Sequence, residues 1–192
     1  MDSSQKANFF YPPGGILIWI IVFLELTVFF AGLIVMKSMS HDQLDMFKQS
    51  TSELNLVAGS VNTIILLIGG YLITKSLSSL DNQEVTKHKK YLLATIISGL
   101  VFTFIKVIEY SEKISHGLTI SYNTFYTFYW LITAFHLLHV LAGIAILMYF
   151  YYKDTDQNRK EYSENLEAGA VFWHMCDLIW VVVFAVIYLY WR

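Results

Sequence analysis

Five long apolar runs constrain this chain more than any other feature of its sequence. A helix needs roughly 20 mainly apolar residues to cross about 30 Å of hydrocarbon. Five segments reach that length, at about 15–37, 56–76, 90–109, 123–150 and 168–190. Backbone groups in lipid must be bonded within their own segment, and these runs lack the alternation of barrel strands. We therefore predict an all-α integral membrane protein: a cytoplasmic segment of residues 1–14, then a domain of five transmembrane helices over residues 15–192.

The composition excludes several other classes of protein. The chain is 56% hydrophobic and 17% aromatic, which is too apolar for a soluble domain of 192 residues. Its charged residues lie mainly in the polar connections and sum to a net charge of -2, so we expect no nucleic-acid partner. The single cysteine, Cys176, lies within an apolar run, which excludes an internal disulfide. We interpret it as a small buried hydrophobe.

The distribution of lysine and arginine predicts the orientation of the helices. The N-terminus and the second and fourth connections carry Lys6, Lys75, Lys87, Lys89, Lys90, Lys153, Arg159 and Lys160. The opposite side carries Lys37, Lys48, Lys113 and Arg192. Eight against four places the N-terminus inside and the C-terminus outside. Four of the inner lysines, Lys75, Lys87, Lys89 and Lys90, serve either as this orientation signal alone or also as contacts for anionic lipid headgroups.

Ionisable residues within the apolar runs are the candidates for function. Such residues are costly against lipid and should face protein or trapped water. Glu25, His136 and Asp177 fall near the midplane, and two pairs share a helix face at a spacing of three residues. We predict a buried polar network in which Glu25 approaches the fourth span. Its members are Glu25, His136, His139, His174 and Asp177.

Three interpretations of this network stay open at the level of sequence. In the first interpretation, the residues bind a metal or a haem, since imidazole and carboxylate suit iron, zinc or manganese. In the second, they relay protons, as intramembrane acids and histidines can. In the third, they form hydrogen bonds that fix the register of the helices and carry no chemistry. No Glu-x-x-His pair or Cys-x-x-Cys-His motif supports the first interpretation.

Two further sets of residues carry structural expectations. Lys106 and Glu109, one turn apart near the outer end of the third span, should pair with each other or extend toward the interface. Small residues in the spans should allow close contact between helices. Four tryptophans are expected to face lipid or the interface: Trp19, Trp130, Trp173 and Trp180.

Four motifs follow one another along the chain: WIIVFLELTVFFAGL (19–33), KVIEY (106–110), FYWLITAFHLLHVLAG (128–143) and EAGAVFWHMCDLIWVVVFAVIYLYW (167–191). Together, and in this order, they resemble subunit III of the haem–copper oxidases. The third resembles the family's His-x-x-His-Val-x-x-Gly helix. The fourth resembles its closing helix, with a Glu-Ala-Gly opening and a Trp-His-x-x-Asp-x-x-Trp core. The resemblance runs from about residue 14 to the C-terminus.

The resemblance implies an accessory subunit without catalytic residues, metals or cofactors of its own. Such a subunit packs beside catalytic subunit I of a proton-pumping terminal oxidase, cytochrome c oxidase, in aerobic electron transport, with subunit II and small subunits also in the complex. Haems and copper are expected in those partners, and phospholipid in a cleft of subunit III. Glu25 matches the family's buried helix acid. The other matched signature residues are Glu109, His136, His139, Glu167, Trp173, His174, Asp177 and Trp180.

One departure from the family pattern leaves the partner enzyme open. The commonest subunit III has seven helices, and this chain begins where the third would. Five-helix forms accompany bacterial quinol oxidases, bacterial cytochrome c oxidases and nitric-oxide reductase, so the resemblance implies the bacterial plasma membrane. An alternative from another class is a self-standing membrane redox protein that binds haem or quinone through His136, His139 and His174.

Overall fold

The computed structural model describes residues 12–153 and 158–192, which form six α-helices and, within those two stretches, no strand. The helices are α1 (Ile16–Ser40), α2 (Leu44–Ser52), α3 (Leu56–Asp81), α4 (Val85–Ser115), α5 (Thr124–Tyr152) and α6 (Arg159–Phe184). A 3-10 turn at His41–Gln43 joins α1 to α2, and a π-helical turn at Ala185–Leu189 follows α6. Lys6 and residues 1–11 of the predicted N-terminal segment lie outside the described residues.

Five helical stretches of the described chain are long and apolar enough to cross a membrane. They are Ile16–Ser52, Leu56–Asp81, Val85–Ser115, Thr124–Tyr152 and Arg159–Leu189. The predicted all-α fold with five membrane-length helices is therefore confirmed. The hydropathy pattern predicts this number well because unpaired backbone groups are costly in lipid. A helix pairs these groups within its own segment, so an apolar run of sufficient length forms one.

The helices extend well beyond the apolar runs into segments that we expected to be polar connections. α4 begins at Val85 rather than near residue 90, and α6 begins at Arg159 rather than near 168. Only Asn82, Gln83 and Glu84 separate α3 from α4. With 31 residues, α4 is about 46 Å long, which exceeds a hydrocarbon core of about 30 Å. Hydropathy marks the part of a helix that lies in lipid, whereas the helix itself continues until a cap or turn ends it.

Asparagine caps and one glycine set several of these ends. Asn55, Asn123 and Asn158 precede α3, α5 and α6, and each accepts a hydrogen bond from a backbone N–H of the first turn. Gly117 follows the end of α4 with φ at 75°, a left-handed conformation that glycine adopts without steric cost. These residues therefore account for the starts of α3, α5 and α6 and for the end of α4.

Helix α6 lies at the centre of the bundle and contacts α1, α3 and α5, while α3 and α4 pack as an antiparallel hairpin. The indole of Trp173 in α6 is fully buried where three helices approach it through Gly69, Gly99 and Gly143. A Cβ added at Gly99 would lie 2.6 Å from Cη2 of this indole. The expectation that Trp173 and Trp180 face lipid is wrong, since both are fully buried. The bulk of Trp173 is accommodated because the surrounding helices carry glycines there, whereas Trp180 packs against the rings of Phe102 and His136.

Candidate functional site

A contact between the side chains of Glu25 of α1 and His139 of α5 joins two helices at mid-depth. His139 Nε2 lies 3.1 Å from Glu25 Oε2, and the two side chains are 13% and 18% exposed. His139 Nδ1 donates to the backbone carbonyl of Phe135 at 2.8 Å. This tautomer leaves Nε2 facing the carboxyl group, so the contact is attractive only when a second proton lies on one of the two groups. The structure therefore places Glu25 against the fourth span through His139.

A second polar pair, His174 and Asp177, lies on α6 where it faces α3. Nδ1 of His174 lies 3.4 Å from Oδ2 of Asp177. Nε2 of His174 lies 3.3 Å from Oγ1 of Thr74. Gly70 of α3 makes room for this arrangement, because a Cβ there would overlap Asp177 Oδ2. The other carboxylate oxygen, Oδ1, is buried and has no hydrogen-bond partner among the described residues.

His136 lies apart from both pairs, in an aromatic box. Its ring stacks on Trp180 at 5.1 Å and meets Phe102 and Phe29 edge-on at 5.8 and 6.2 Å. The side chain is fully buried, and neither ring nitrogen has a hydrogen-bond partner in residues 12–153 and 158–192. An imidazole in such surroundings packs as an aromatic ring and is not placed to pass a proton to either neighbouring pair.

The five residues of the predicted network thus occupy three separate places. Glu25 and His139 meet between α1 and α5, His174 and Asp177 meet beside α3, and His136 is enclosed by rings. Three or more histidine, cysteine or acidic side chains converge as a metal site nowhere in the described chain. The arrangement is two separate pairs: Glu25 and His139 join α1 to α5, and His174 and Asp177 lie within α6 and contact α3 through Thr74.

The most extensive buried polar cluster is centred on Lys106 and Glu109 of α4. Their side chains are only 1% and 3% exposed, with Nζ 3.2 Å from Oε2. The hydroxyls of Tyr129 and Tyr188 both donate to Glu109 Oε1, at 2.7 and 2.5 Å. The ammonium group also lies 4.8 Å from the ring centre of Tyr110. Pairing was one of two outcomes expected for Lys106 and Glu109, and burial in the bundle excludes the other, extension toward the interface.

The π-helical turn at Ala185–Leu189 places Tyr188 in this cluster. A π turn carries an additional residue relative to an α-helix and rotates the residues that follow it. Tyr188 points inward to Glu109 and is fully buried. Three residues further on, Trp191 packs on Phe47 of α2 and Phe125 of α5, with ring centroids 5.1 and 6.2 Å away. Sequence reasoning missed both tyrosines, because their partners lie on other helices and no spacing in the sequence signals them.

A further cluster ties α2 to the end of α4 and the start of α5. The hydroxyl of Tyr126 donates to Glu53 Oε2 at 3.0 Å, and Lys113 Nζ donates to the backbone carbonyl of Glu53 at 2.7 Å. Asn123 Nδ2 donates to Ser50 Oγ at 3.0 Å. The segment between the first two apolar runs was expected to be a plain polar connection. It is instead a short helix held by polar contacts to the bundle.

At the opposite end of the bundle, His88 joins three helices. Its Nδ1 lies 2.9 Å from Ser76 Oγ of α3, and its Nε2 lies 3.0 Å from the hydroxyl of Tyr162 of α6. His88 is fully buried, although it stands in the basic stretch KHKK. The lysines near it behave differently: Lys75, Lys87 and Lys90 are exposed and Lys89 is partly exposed. This end of the bundle therefore presents a basic rim around a buried histidine.

An open groove runs along α6 between α1 and α3. Its floor is formed by His174, Leu178, Val182 and Val186, and its walls by Phe30 and Ile34 of α1 and by Leu67 and Tyr71 of α3. We call these residues the α6 groove. The part beside α3 encloses about 620 Å³ and contains the His174–Asp177 pair. Adjoining cavities share Val182, so the depression is continuous along the helix.

Comparison with known proteins identifies the family of this bundle. The family model for cytochrome c oxidase subunit III matches residues 50–192, which is most of the chain. The chain belongs to the cytochrome c oxidase subunit III family. The family predicted from the four sequence motifs is thereby confirmed.

Named relatives of this subunit III chain come from bacteria and animals. It is 28% identical over 164 residues to a probable cytochrome c oxidase subunit 3 of Mycobacterium leprae, covering 84% of this chain and 80% of the relative. The subunit 3 of Corynebacterium diphtheriae is 25% identical over 193 residues, with coverage of 98% and 94%. The subunit 3 of Artemia franciscana is 30% identical over 134 residues, which are 70% of this chain and 51% of that relative. The chain thus spans about half the length of the animal relative.

The remaining motif residues of subunit III have structural positions here. Glu167 accepts a hydrogen bond from the backbone N–H of Gly14 at 3.3 Å, which ties the start of α1 to α6. Trp180 Nε1 donates to Thr63 Oγ1 of α3 at 3.0 Å. Trp173 packs against the glycines described above. These residues act between helices, which agrees with a role in holding the subunit together.

Proposed function

We propose that this chain is the accessory, non-catalytic subunit III of a proton-pumping haem–copper terminal oxidase, a cytochrome c oxidase, in aerobic electron transport. The observation that carries the proposal is the family match over residues 50–192, on a chain with five membrane-length helices. The named relatives are cytochrome c oxidase subunits, which favours that enzyme over quinol oxidase and nitric-oxide reductase. The chain stabilises the catalytic subunit and takes part in no electron transfer.

The distribution of ionisable groups favours the role of an accessory subunit over that of a redox protein. A self-standing haem or quinone protein would use His136, His139 and His174. These three side chains lie in different surroundings: an aromatic box, a pair with Glu25, and a pair with Asp177. We therefore assign the haems and copper of the complex to partner subunits and no cofactor to this chain. Subunits I and II and small subunits are the proposed protein partners.

The proposed location is the bacterial plasma membrane, with the N-terminus inside and the C-terminus outside. Bacterial relatives of similar length support this, because the chain covers 80% and 94% of the mycobacterial and corynebacterial proteins. The exposed lysines near residues 75–90 support the orientation, since basic residues are enriched on the cytoplasmic side. An odd number of candidate spans supports opposite sides of the membrane for residues 12 and 192.

The decisive experiment is purification of the complex through an affinity tag on this chain, in mild detergent. We expect stoichiometric recovery of the catalytic subunits, identified by mass spectrometry, together with their haem spectrum. Recovery of quinol oxidase or nitric-oxide reductase subunits instead would reassign the partner. A stoichiometric haem band in the isolated chain would contradict the accessory role.

Bound phospholipid is a further part of the proposed function. Lys75, Lys87, Lys89 and Lys90 surround one end of the bundle, and each basic residue near an anionic surface contributes about 1 kcal/mol. Lys87 is partly neutralised by Glu84, whose Oε1 lies 2.7 Å away. We expect a variant neutral at all four lysines to retain less anionic phospholipid than wild type in native mass spectrometry. Correct insertion of the variant is checked by labelling a terminal tag. Unchanged lipid retention would leave orientation as the only role of these lysines.

A further inference from the structure

A row of five oxidisable side chains leads from the middle of the bundle to its surface. Its members are, in order, Trp180, Tyr188, Tyr129, Tyr126 and Tyr122, and we call them the tyrosine row. The ring centroids of Trp180 and Tyr188 are 6.4 Å apart. Those of Tyr126 are 5.9 Å from Tyr129 and 5.7 Å from Tyr122. The first four members are fully buried, whereas Tyr122, in the connection between α4 and α5, is 57% exposed.

The middle of the tyrosine row is joined through a carboxylate. The hydroxyls of Tyr188 and Tyr129 both donate to Glu109 Oε1, so the two phenols lie within two hydrogen bonds of each other. Lys106 Nζ lies 3.2 Å from the other oxygen, Oε2, and balances the negative charge of this carboxylate. Packing of aromatic rings requires no such group. A base in hydrogen-bond contact with a phenol can instead accept its proton.

The outer part of the row has proton acceptors as well. The hydroxyl of Tyr126 donates to Oε2 of the exposed residue Glu53 at 3.0 Å. Tyr122 is exposed, so water can take its proton. Tyr162, a buried tyrosine outside the row, donates instead to the backbone carbonyl of Phe150, which is not a base. Carboxylate partners therefore distinguish the buried tyrosines of the row from this one.

These contacts allow electron loss and proton loss to occur together. One-electron oxidation turns a phenol into a strong acid, so a base already in contact favours the reaction. When Tyr188 loses an electron, its O–H bond breaks and the proton moves to Glu109, which leaves a neutral tyrosyl radical and a neutral carboxyl group. Trp180 donates its N–H to the hydroxyl of Thr63, which is not a base. Oxidised Trp180 therefore keeps its proton and regains its electron from Tyr188.

We propose that the tyrosine row carries oxidising equivalents from the interior of the membrane to the surface, where a soluble reductant removes them. The oxidant is a partially reduced oxygen species, which takes one electron from the row. Each tyrosyl radical then takes an electron from the next tyrosine outward and regains the proton that its carboxylate holds. At Tyr122 the proton goes to water. A soluble thiol or ascorbate then supplies one electron, and a proton from water restores the phenol.

The proposal goes beyond the proposed function and takes only its oxidant from it, because a terminal oxidase reduces oxygen. The row is separate from the transfer of electrons from the donor to oxygen, in which this chain takes no part. Its effect is to discharge reactive equivalents before they damage buried side chains of the complex.

A photochemical experiment on the full chain in micelles tests the row. A ruthenium polypyridine label is attached through Val181→Cys, a 39% exposed position next to Trp180, while the native Cys176 is buried. Tyr71 lines the same cavity as Val181, so the label is used in a Tyr71→Phe background. A flash with an electron-accepting quencher converts the label to a one-electron oxidant. A water-soluble spin trap captures tyrosyl radicals at the surface, and peptide mass spectrometry locates the adducts.

We expect the adduct at Tyr122 to exceed that at Tyr152 by about fivefold. Tyr152 is the more exposed of the two, at 78%, but lies at the other end of the bundle and outside the row. Oxidation through solution would mark exposed tyrosines without regard to the row. An adduct at Tyr152 as strong as that at Tyr122 therefore overturns the proposal, and this comparison needs no change within the row.

Interrupting the row gives an independent readout. Tyr126→Phe keeps the ring but removes the hydroxyl, and we expect about tenfold less adduct at Tyr122 because phenylalanine has no proton to release. Tyr162→Phe is the matched control, a buried hydroxyl lost outside the row, and should change the yield less than twofold. Tyr188→Phe interrupts the row at a second place, and circular dichroism checks that each variant is folded. Wild-type labelling of Tyr122 in folded Tyr126→Phe overturns the proposal.

The outcomes separate this proposal from the proposed function, because the label supplies the oxidant. If the tagged chain recovers the oxidase while labelling of Tyr122 does not depend on Tyr126, the chain is an oxidase subunit and the tyrosine row fails. If labelling depends on Tyr126 while the tagged chain recovers no haem–copper enzyme, the row stands and the proposed function fails.

Discussion

At the scale of single residues, two histidines one turn apart have opposite surroundings. At His139, Nδ1 donates to the Phe135 carbonyl and Nε2 lies 3.1 Å from Glu25 Oε2. His136 has neither engaged within the described chain and is enclosed by aromatic rings. A substitution should therefore have different effects at the two positions, although the sequence motif treats them as equivalent.

His136→Phe should leave the free energy of unfolding unchanged or raise it by about 1 kcal/mol, because it removes unpaired polar atoms and keeps an aromatic ring. His139→Phe is the matched control and should lower it by about 1–3 kcal/mol, since it leaves Glu25 without its partner. Both are measured on the purified chain by titrating micelles with a denaturing detergent. A loss of more than about 2 kcal/mol for His136→Phe would show that this imidazole has a partner, such as a buried water.

Lys106 and Glu109 should show strong coupling in a double-mutant cycle. Lys106→Met or Glu109→Gln alone should cost about 3–5 kcal/mol, because each leaves one buried charge without its counter-charge. The double variant should be more stable than the Lys106→Met variant, since both charges are gone. Unfolding in micelles provides the four free energies, and additive effects would argue against an ion pair in the folded chain.

At the scale of helices, the sequence predicts which segments cross the membrane better than it predicts how they meet. Hydropathy predicts the five crossings because every backbone group in lipid must be hydrogen-bonded within its own segment. It does not give the partners of polar side chains: Lys106 and Tyr188 are 82 positions apart and meet only in the packed bundle. The pairing of Glu25 with His139 could be anticipated from depth, whereas the isolation of His136 could not, because aromatic enclosure has no signature in spacing.

The contact of three helices with Trp173 gives a prediction at this scale. Gly99→Ala should lower the free energy of unfolding by about 1–3 kcal/mol, because the added Cβ would overlap the indole and force the helices apart. Gly32→Ala is the control, since its Cβ would lie 3.8 Å from the nearest side-chain atom, an ordinary contact. Equal melting temperatures for the two variants in micelles would contradict the close packing at Gly99.

At the scale of the whole molecule, the polar contacts lie at three levels: one at each end of the bundle and one between them. One end is closed by His88 with Ser76 and Tyr162, and the other by Glu53 with Tyr126 and Lys113. The ionisable pairs lie between these layers and each joins a different set of elements. The chain is thus held by contacts at three depths, which suits a subunit that supports another protein over many turnovers.

His174→Ala and Asp177→Ala should loosen the attachment of the subunit without an immediate loss of oxidase activity. Neither side chain is placed to touch the substrate of a catalytic subunit, whereas both line the α6 groove. Initial oxygen consumption per haem should stay within about twofold of wild type, and the activity should decline faster during sustained turnover. The oxygen electrode measures both phases, with Phe104→Ala as a surface control. An immediate loss of activity in a fully assembled complex would place these residues closer to the chemistry.

The π-helical turn at Ala185–Leu189 has a consequence for changes in chain length. Removing one of its residues, a three-nucleotide in-frame deletion in the coding sequence, would let the turn close as ordinary α-helix. Residues after the deletion would keep their orientation about the helix axis, so Trp191 would stay against Phe47. A gene encoding this protein should therefore tolerate the loss of a single codon in this turn more readily than elsewhere in the last helix, where the deletion would rotate all later residues by about 100°.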